Sequence, residues 1–397
     1  MKRVYLITIL TCLVALAAFV ITVSILSPAT FNDSLTVGFI YDNDESTAYT
    51  FNFSLARDAV EKEYGDRVKI LTSSNVLDDE MEEPVREMAN EGCDIIFFNG
   101  YSDLVIKLAA EYPNIQFCQT SYMDMSGVSV PSNYHTFKGE AYQGRYVSGI
   151  AAGLKMNQMI SSGYMTPDQA LVGFVAAFPT SEVISGYTAF LLGVKSIVPT
   201  ARMQVVYTGT WSSYAHEKSA AARLIDNGCV IISQHTDTIG PAIACEEASE
   251  KKRVYHVGNS KSMGEVAPTS ALVSSRICWE PYVLSAVEAV MKMRPIESVV
   301  SGNIHGNDVS AGFDRGWVEM IDLNYRIAAA GTQEAMDEAI EQFKQGRVDF
   351  VFKGDYEMTD ADDPSKKSNL KDGYIENGNT SYPTFNYILT DEITILE

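Results

Sequence analysis

Asn227-Gly228-Cys229-Val230-Ile231-Ile232-Ser233-Gln234-His235-Thr236-Asp237-Thr238 reads as a helix stop, a short apolar strand and a polar loop in succession. Gly228 tolerates the positive φ with which helices commonly end. Val230-Ile231-Ile232 is β-branched and apolar on both faces, the pattern of a central strand in a parallel sheet. The polar residues after it then stand at the strand's carboxyl end, where open α/β sheets bind ligands.

The same order of signals occurs in Glu91-Gly92-Cys93-Asp94-Ile95-Ile96-Phe97-Phe98-Asn99-Gly100, with Cys93 136 positions ahead of Cys229. Val37-Gly38-Phe39-Ile40 and Val172-Gly173-Phe174-Val175 lie 135 apart, each opening a strand that leads through a polar loop into a helix. Two pairs at nearly one offset predict a duplicated half. The period is too long for a solenoid, so the expectation is two doubly wound, Rossmann-like lobes of similar α/β topology.

The alternation of strand and helix patterns places the first lobe at about 36–160, closed by a long small-residue helix from Gly139 to Met159. The second lobe spans about 161–270. A return segment at about 271–305 is expected to rejoin the first lobe, with Ala271–Ile277 as its strand and Trp279 opening its helix. Segments from about 306 to 397 are assigned to the second lobe, beginning with Val309–Gly312 and Trp317–Ile321 as a late hairpin or strand pair. Repeated crossing between lobes would make a hinge.

The 397 residues are 46% hydrophobic, ample for globular cores. With 51 acidic residues against 30 basic ones the formal charge is −21. That charge, with no basic patch, argues against nucleic acid as a partner. Lys2 and Arg3 precede an uncharged run from Val4 to Leu26, long enough as a helix, at roughly 35 Å, to span a hydrocarbon core of about 30 Å. Positive charge on the short leading side puts that end in the cytoplasm and the rest outside. The segment 1–29 reads as a retained membrane anchor or, given Ser27-Pro28-Ala29, as a long signal peptide. Cys12 lies inside the apolar run rather than at its end, where a lipid-modified cysteine belongs. Cys93, Cys118, Cys229 and Cys245 fall in strand or helix patterns and read as small buried hydrophobes.

The sequence carries none of the common signatures of catalysis. There is no Gly-x-Ser-x-Gly elbow or phosphate loop, the His216-Glu217 pair lacks a second histidine at Ala220, and the five histidines show no metal-ligand spacing. The Asp42-Asn43-Asp44-Glu45 loop has Thr47 and Phe53 where a calcium loop needs Gly and Glu. The expectation is a binder that is no enzyme and has neither metal nor cofactor. The strand mouths instead supply Tyr49, Asn99, Phe178, Trp211, His235, Asp237, Asn259, Arg276 and Trp279. Aromatics facing each other across a cleft would sandwich a flat ring while the Asp, Asn and Arg groups hold its polar edges.

Several segments in order carry a resemblance: Val37-Gly38-Phe39-Ile40 with Tyr49-Thr50-Phe51-Asn52, Tyr142-Gln143-Gly144-Arg145-Tyr146-Val147-Ser148-Gly149, Val172-Gly173-Phe174 with Phe178-Pro179, Ala189-Phe190-Leu191-Leu192-Gly193, and Gly306-Asn307-Asp308-Val309. From about Val37 to Leu323 the chain resembles the basic membrane protein family of ABC-transporter substrate-binding proteins, which includes purine-nucleoside receptors. The resemblance implies a type I periplasmic-binding-protein fold whose two lobes close on the ligand by hinge motion. It also implies delivery of a nucleoside, a purine nucleoside by preference, to an ABC permease in the membrane. Tyr49 matches the family's first-lobe stacking position, with Trp211 or Phe178 as the second-lobe partner. Asp237, Gly258 and Arg276 correspond to its ribose contacts. The family's lipoprotein cysteine is missing, so the N-terminal apolar helix would be the tether, with the binding domain outside a bacterial cell membrane. The same fold also serves membrane-tethered sensors and sugar receptors, and these stand as the alternatives.

Overall fold

The computed structural model describes residues 32–396. The apolar run Val4–Leu26, Cys12 and Ser27-Pro28-Ala29 lie outside the described residues. Among the described residues no helix is long and apolar enough to cross a membrane.

Strand and helix alternate through the first half as β1 (Leu35–Ile40), α1 (Ala48–Tyr64), β2 (Val68–Ser73), α2 (Glu82–Asn90), β3 (Ile95–Phe98), α3 (Leu104–Glu111), β4 (Gln116–Thr120) and β5 (Tyr134–Gly139). They continue as α4 (Ala141–Ser161), β6 (Leu171–Ala176), α5 (Ser181–Ile197), β7 (Arg202–Tyr207), α6 (Tyr214–Asp226), β8 (Ile231–His235), α7 (Gly240–Ser249), β9 (Tyr255–Asn259) and β10 (Ala271–Ile277). After α8 (Glu280–Met291) come β11 (Asn303–His305), β12 (Asp308–Ala311), β13 (Val318–Ile321), α9 (Thr332–Lys344), β14 (Glu357–Asp360), β15 (Lys367–Asn369), β16 (Tyr387–Leu389) and β17 (Ile393–Leu396).

Two seven-stranded, mostly parallel sheets result, ordered β11-β12-β5-β4-β3-β1-β2 and β13-β10-β9-β8-β6-β7-β17. The runs β5-β4-β3-β1-β2 and β10-β9-β8-β6-β7 have the same topology, which is the duplication seen in the sequence. β8 lies between β6 and β9, with Ile231 and Ile232 buried. Gly92 and Gly228 take φ of 78° and 97° at the two helix stops. Each sheet is covered on both faces. In the first lobe the Phe39, Phe53, Phe97, Phe137 and Tyr282 cluster fills one face and the Ile96, Phe98, Phe117 and Val85 cluster the other. Cys93, Cys118, Cys229, Cys245 and Cys278 are buried free thiols.

Three lobe assignments made from sequence need correction. The small-residue helix α4 belongs to the second lobe, not the first. It packs against α5 so closely that a Cβ on Gly149 would stand 2.1 Å from the Phe190 carbonyl oxygen, and one on Gly193 would stand 2.1 Å from that of Tyr146. Small residues all round this helix serve a backbone-to-backbone contact, so periodicity alone could not say which lobe it covers. Strand β10 pairs in parallel with β9 and joins the second sheet; the return to the first lobe begins with α8, packed on α1, and runs on to β11. Finally, the residues read as a late hairpin or strand pair separate, β12 joining β5 in the first sheet and β13 joining β10 in the second. The chain therefore passes between lobes at 139–141, 277–280 and 311–318.

The C-terminal region adds a further link. Its three-stranded sheet β15-β14-β16 packs on the second lobe through Phe352, Phe385 and Leu389, and β17 extends the second sheet beside β7. Between these anchors the chain reaches the first lobe. The buried Asp308 carboxylate accepts from Thr136 Oγ1 (2.7 Å), Thr380 Oγ1 (3.1 Å) and Ser381 N (2.7 Å). Glu376, also buried, accepts from Ser185 Oγ at 2.6 Å and from Phe385 N at 3.1 Å, holding the strap to α5.

Candidate ligand site between the lobes

The carboxyl ends of the two sheets face one cavity of about 540 Å³, lined from both lobes. In the first lobe, β1 ends at the loop that carries Asp42, and Thr47 caps the following helix by accepting from Thr50 N at 3.4 Å. This sets Tyr49 in the first turn of α1. Its hydroxyl donates to the Asn99 carbonyl oxygen at 3.1 Å, and its ring stands edge-on to Trp279 with centroids 6.0 Å apart. Burial keeps that hydroxyl well above the ordinary tyrosine range, so Tyr49 is neutral. Asn99 is committed to the protein: Oδ1 accepts from Asp42 N (2.9 Å) and Nδ2 donates to Thr50 Oγ1 (3.2 Å). Thr50 Oγ1 in turn donates to Asp42 Oδ1 at 3.1 Å. The network orients Asp42, whose other oxygen has no hydrogen bond among the described residues.

In the second lobe Trp211 follows β7 and packs edge-on against Phe178 (5.6 Å) and His235 (6.1 Å). Its carbonyl oxygen accepts from Asp237 N at 2.9 Å, and the Asp237 carbonyl oxygen accepts from Ala48 N at 3.1 Å, a backbone bond between lobes. Burial, reinforced by the charges of Asp42, Glu217 and Glu182, pushes the Asp237 carboxyl well above the usual carboxylate range. His235 moves the other way, well below the ordinary imidazole value, because it is buried and faces Arg145 and Lys138. It is a neutral imidazole. Lys138, at the end of β5, crosses to Glu182 at 2.8 Å, donates to the Ser121 carbonyl oxygen at 3.0 Å and lies 5.3 Å from the centre of the Tyr382 ring.

Of the residues singled out in the sequence, Tyr49, Asn99, Phe178, Trp211, His235, Asp237, Asn259 and Arg276 line this cavity. Gly258 and Trp279 do not. Gly258 is a packing glycine in β9, where a Cβ would stand 2.2 Å from Ser274 Oγ. Trp279 is buried behind Tyr49, against Phe53 and Phe137. Arg276 borders the cavity but is already paired with Glu280 at 3.0 Å, with Glu319, and with Asn52 Oδ1 at 3.0 Å. Its guanidinium ties α1 of the first lobe to the second. Lys138, Arg145, Glu182 and Tyr382 were not among the residues singled out, and Asp42 was weighed only as part of a calcium loop, yet all five line the cavity. Arg145 carried a usable signal, a lone cation in a run of small residues; Tyr382 lies far outside the duplicated halves and carried none.

Residues 34–324 match the family model described as ABC transporter substrate-binding protein, PnrA-like. A purine-binding protein of Brucella abortus is 28% identical over 65% of this chain and 69% of its own length. A protein of Haloferax volcanii named as an ABC transporter glucose-binding protein is 27% identical over 59% of this chain and about half of its own length, 55%. The fold is α/β and periplasmic-binding-protein-like: a solute-binding protein of an ABC transporter system from Aeropyrum pernix superposes with a TM-score of 0.62 at 16% identity, over 79% of this chain and 92% of that one.

Proposed function

The chain belongs to the Bmp family of PnrA-like ABC-transporter substrate-binding proteins, and from that premise we propose that it captures a purine nucleoside between its lobes, outside the cytoplasm, and passes it to an ABC permease. The observation that carries this reading is that aromatics of both lobes line one cavity: Tyr49 from the first lobe, Trp211 and Phe178 from the second. A flat base fits between such faces. Asp42 and Asp237, whose side chains have carboxyl oxygens without hydrogen bonds among the described residues, suit the hydroxyls of a ribose. The likeness to a purine-binding protein supports the choice of base.

A sugar is the second reading, favoured by the likeness to the Haloferax protein and by the same carboxylates, which would take any vicinal hydroxyls. Thermal unfolding of the full chain against inosine, guanosine, adenosine, cytidine, free bases, ribose and glucose separates the two. Ligand at about 100 times its Kd stabilises by roughly 2.7 kcal/mol, a shift of a few degrees at this size. Stabilisation by purine nucleosides and not by glucose supports the proposal. Stabilisation by glucose with no response to any nucleoside overturns it.

A further inference from the structure

Arg145 lines the cavity from α4, is 1% exposed, and makes no hydrogen bond or ion pair among the described residues. The other cations of the lining are satisfied: Lys138 by Glu182 and Ser121, Arg276 by Glu280, Glu319 and Asn52. The polar group closest in kind, Glu182, is taken up by Lys138. What Arg145 does have is the ring of Phe174, 5.8 Å from its guanidinium carbon. A buried charge left unpaired is costly, and a side chain of five N–H donors with no acceptor can be satisfied only by an acceptor. Burial lowers its pKa to about 10, so the group stays charged at neutral pH.

The missing acceptor is neutral rather than anionic. Asp42, Asp78 and Glu182 line the same cavity beside Asp237, and a phosphate bearing about −1.5 to −2 charge would crowd further negative charge among these acidic groups. The acceptor also belongs beside the stacking face. A Cβ on Gly186 would lie 3.2 Å from His235 Nδ1 and 3.9 Å from Arg145 Cγ, and His235 is in turn 6.1 Å from the Trp211 ring. Arg145 thus stands on the wall that carries Trp211, where the edge of a stacked base arrives.

We propose that Arg145 reads the acceptor edge of the bound base and makes the cavity prefer 6-oxopurine over 6-aminopurine nucleosides. This rests on the purine-nucleoside reading above. A 6-oxopurine presents O6 and N7 side by side, the pair that a guanidinium takes with two parallel N–H bonds. A 6-aminopurine puts an N–H₂ donor in place of O6, so donor meets donor and the guanidinium stays unsatisfied.

Titration calorimetry of the full chain with inosine, guanosine and adenosine tests this in the wild type, Arg145→Met and Arg145→Lys. A bidentate contact discriminates by roughly 5- to 150-fold, so inosine and guanosine are expected to bind the wild type by at least about that lower factor more tightly than adenosine. Arg145→Met is expected to bring inosine and adenosine within about threefold, chiefly by weakening inosine, and Arg145→Lys to retain only part of the preference. Because the arginine is unpaired without ligand, Arg145→Met should unfold at or above the wild-type temperature. Adenosine binding the wild type as tightly as inosine overturns the proposal and leaves the nucleoside reading standing, a result that needs no variant to fold. An inosine preference unchanged in Arg145→Met also overturns it. Failure of every nucleoside to bind removes the underlying reading instead.

Discussion

Replacing Trp211 by alanine should weaken nucleoside binding while leaving the fold nearly intact. Its side chain is 38% exposed, and among the described aromatic rings it packs only on Phe178 and His235. The bond that shapes the loop, from Asp237 N to the Trp211 carbonyl oxygen, is made by backbone atoms that alanine keeps. The stability change is therefore expected to stay below about 1 kcal/mol, as for surface substitutions generally. Stacking on a base is worth about 1 to 3 kcal/mol by alanine substitution, which corresponds to roughly 5- to 150-fold in Kd. Intrinsic fluorescence offers a direct assay, since the other tryptophans, Trp279 and Trp317, are buried in the first-lobe core at 1% and 2% exposure. A ligand-induced change in emission should then come from Trp211, vanish in Trp211→Phe, and leave the calorimetric affinity of that variant within about tenfold of wild type. A Trp211→Ala protein that binds within twofold of wild type would refute the stacking role.

Three further outcomes follow from the packing. Gly149→Ala places a methyl against the Phe190 carbonyl oxygen; the helix-propensity gain of about 1 kcal/mol is outweighed by overpacking of a backbone contact, for a net loss of about 2 kcal/mol or more in thermal unfolding, whereas Gly264→Ala, where the nearest atom would be 3.6 Å away, should change little. Glu140 is buried and its pKa is raised to about 7, chiefly by that burial; its native form holds a proton that the unfolded chain releases near the ordinary value, so its contribution is complete below about pH 4.5 and is lost as pH rises to 7. Glu140→Gln should flatten the stability profile in that window, and an unchanged slope in denaturant titrations would count against the assignment. Asp308→Ala leaves Ser381 N, Thr380 Oγ1 and Thr136 Oγ1 without their buried acceptor, and should cost about 3 kcal/mol or more and raise proteolysis between residues 374 and 386.

Much of the fold could be read because parallel strands buried on both faces write themselves as short β-branched runs between helix stops. Val230-Ile231-Ile232 and Ile95-Ile96-Phe97-Phe98 are of this kind, and strand-end chemistry then located Tyr49, Trp211, His235 and Asp237 at one cavity. What stayed hidden was whatever depends on partners remote in sequence. Buried on nearly every side, α4 has no amphipathic stripe to show which sheet it covers. Trp279 looks like a strand-mouth aromatic, yet as the residue that precedes α8 it is buried in the core. Asn99 and Arg276 stand at the cavity, but their hydrogen-bonding capacity goes largely to Asp42, Thr50, Asn52 and two glutamates, a division of labour no spacing reveals. Lys138 and Arg145 flank the crossing at 139–141 rather than the mouth of a βα turn, and so escaped the strand-end rule.

What holds the lobes against each other differs in kind from what holds each together. Within a lobe the contacts are layers of buried apolar side chains. Between them are the Ala48–Asp237 backbone bond, the Lys138–Glu182 pair, the Arg276–Asn52 bond and Lys261 set 4.4 Å from the centre of the Phe51 ring. At about 0.5 to 3 kcal/mol apiece, these few contacts are small beside the buried layers within each lobe, and a ligand that joined Asp42 on one side to Asp237 and Arg145 on the other would add to closure by the difference in its affinity for the two forms. The C-terminal strap constrains where such a cleft can open. It is held to the second lobe at Glu376 and to the first at Thr380 and Ser381, with Asn377, at a φ of 56°, donating to the Thr380 and Ser381 carbonyl oxygens between them. A few residues closed into a turn cannot lengthen much, so any opening of the cleft is expected to be least at the strap's edge, beside Tyr382.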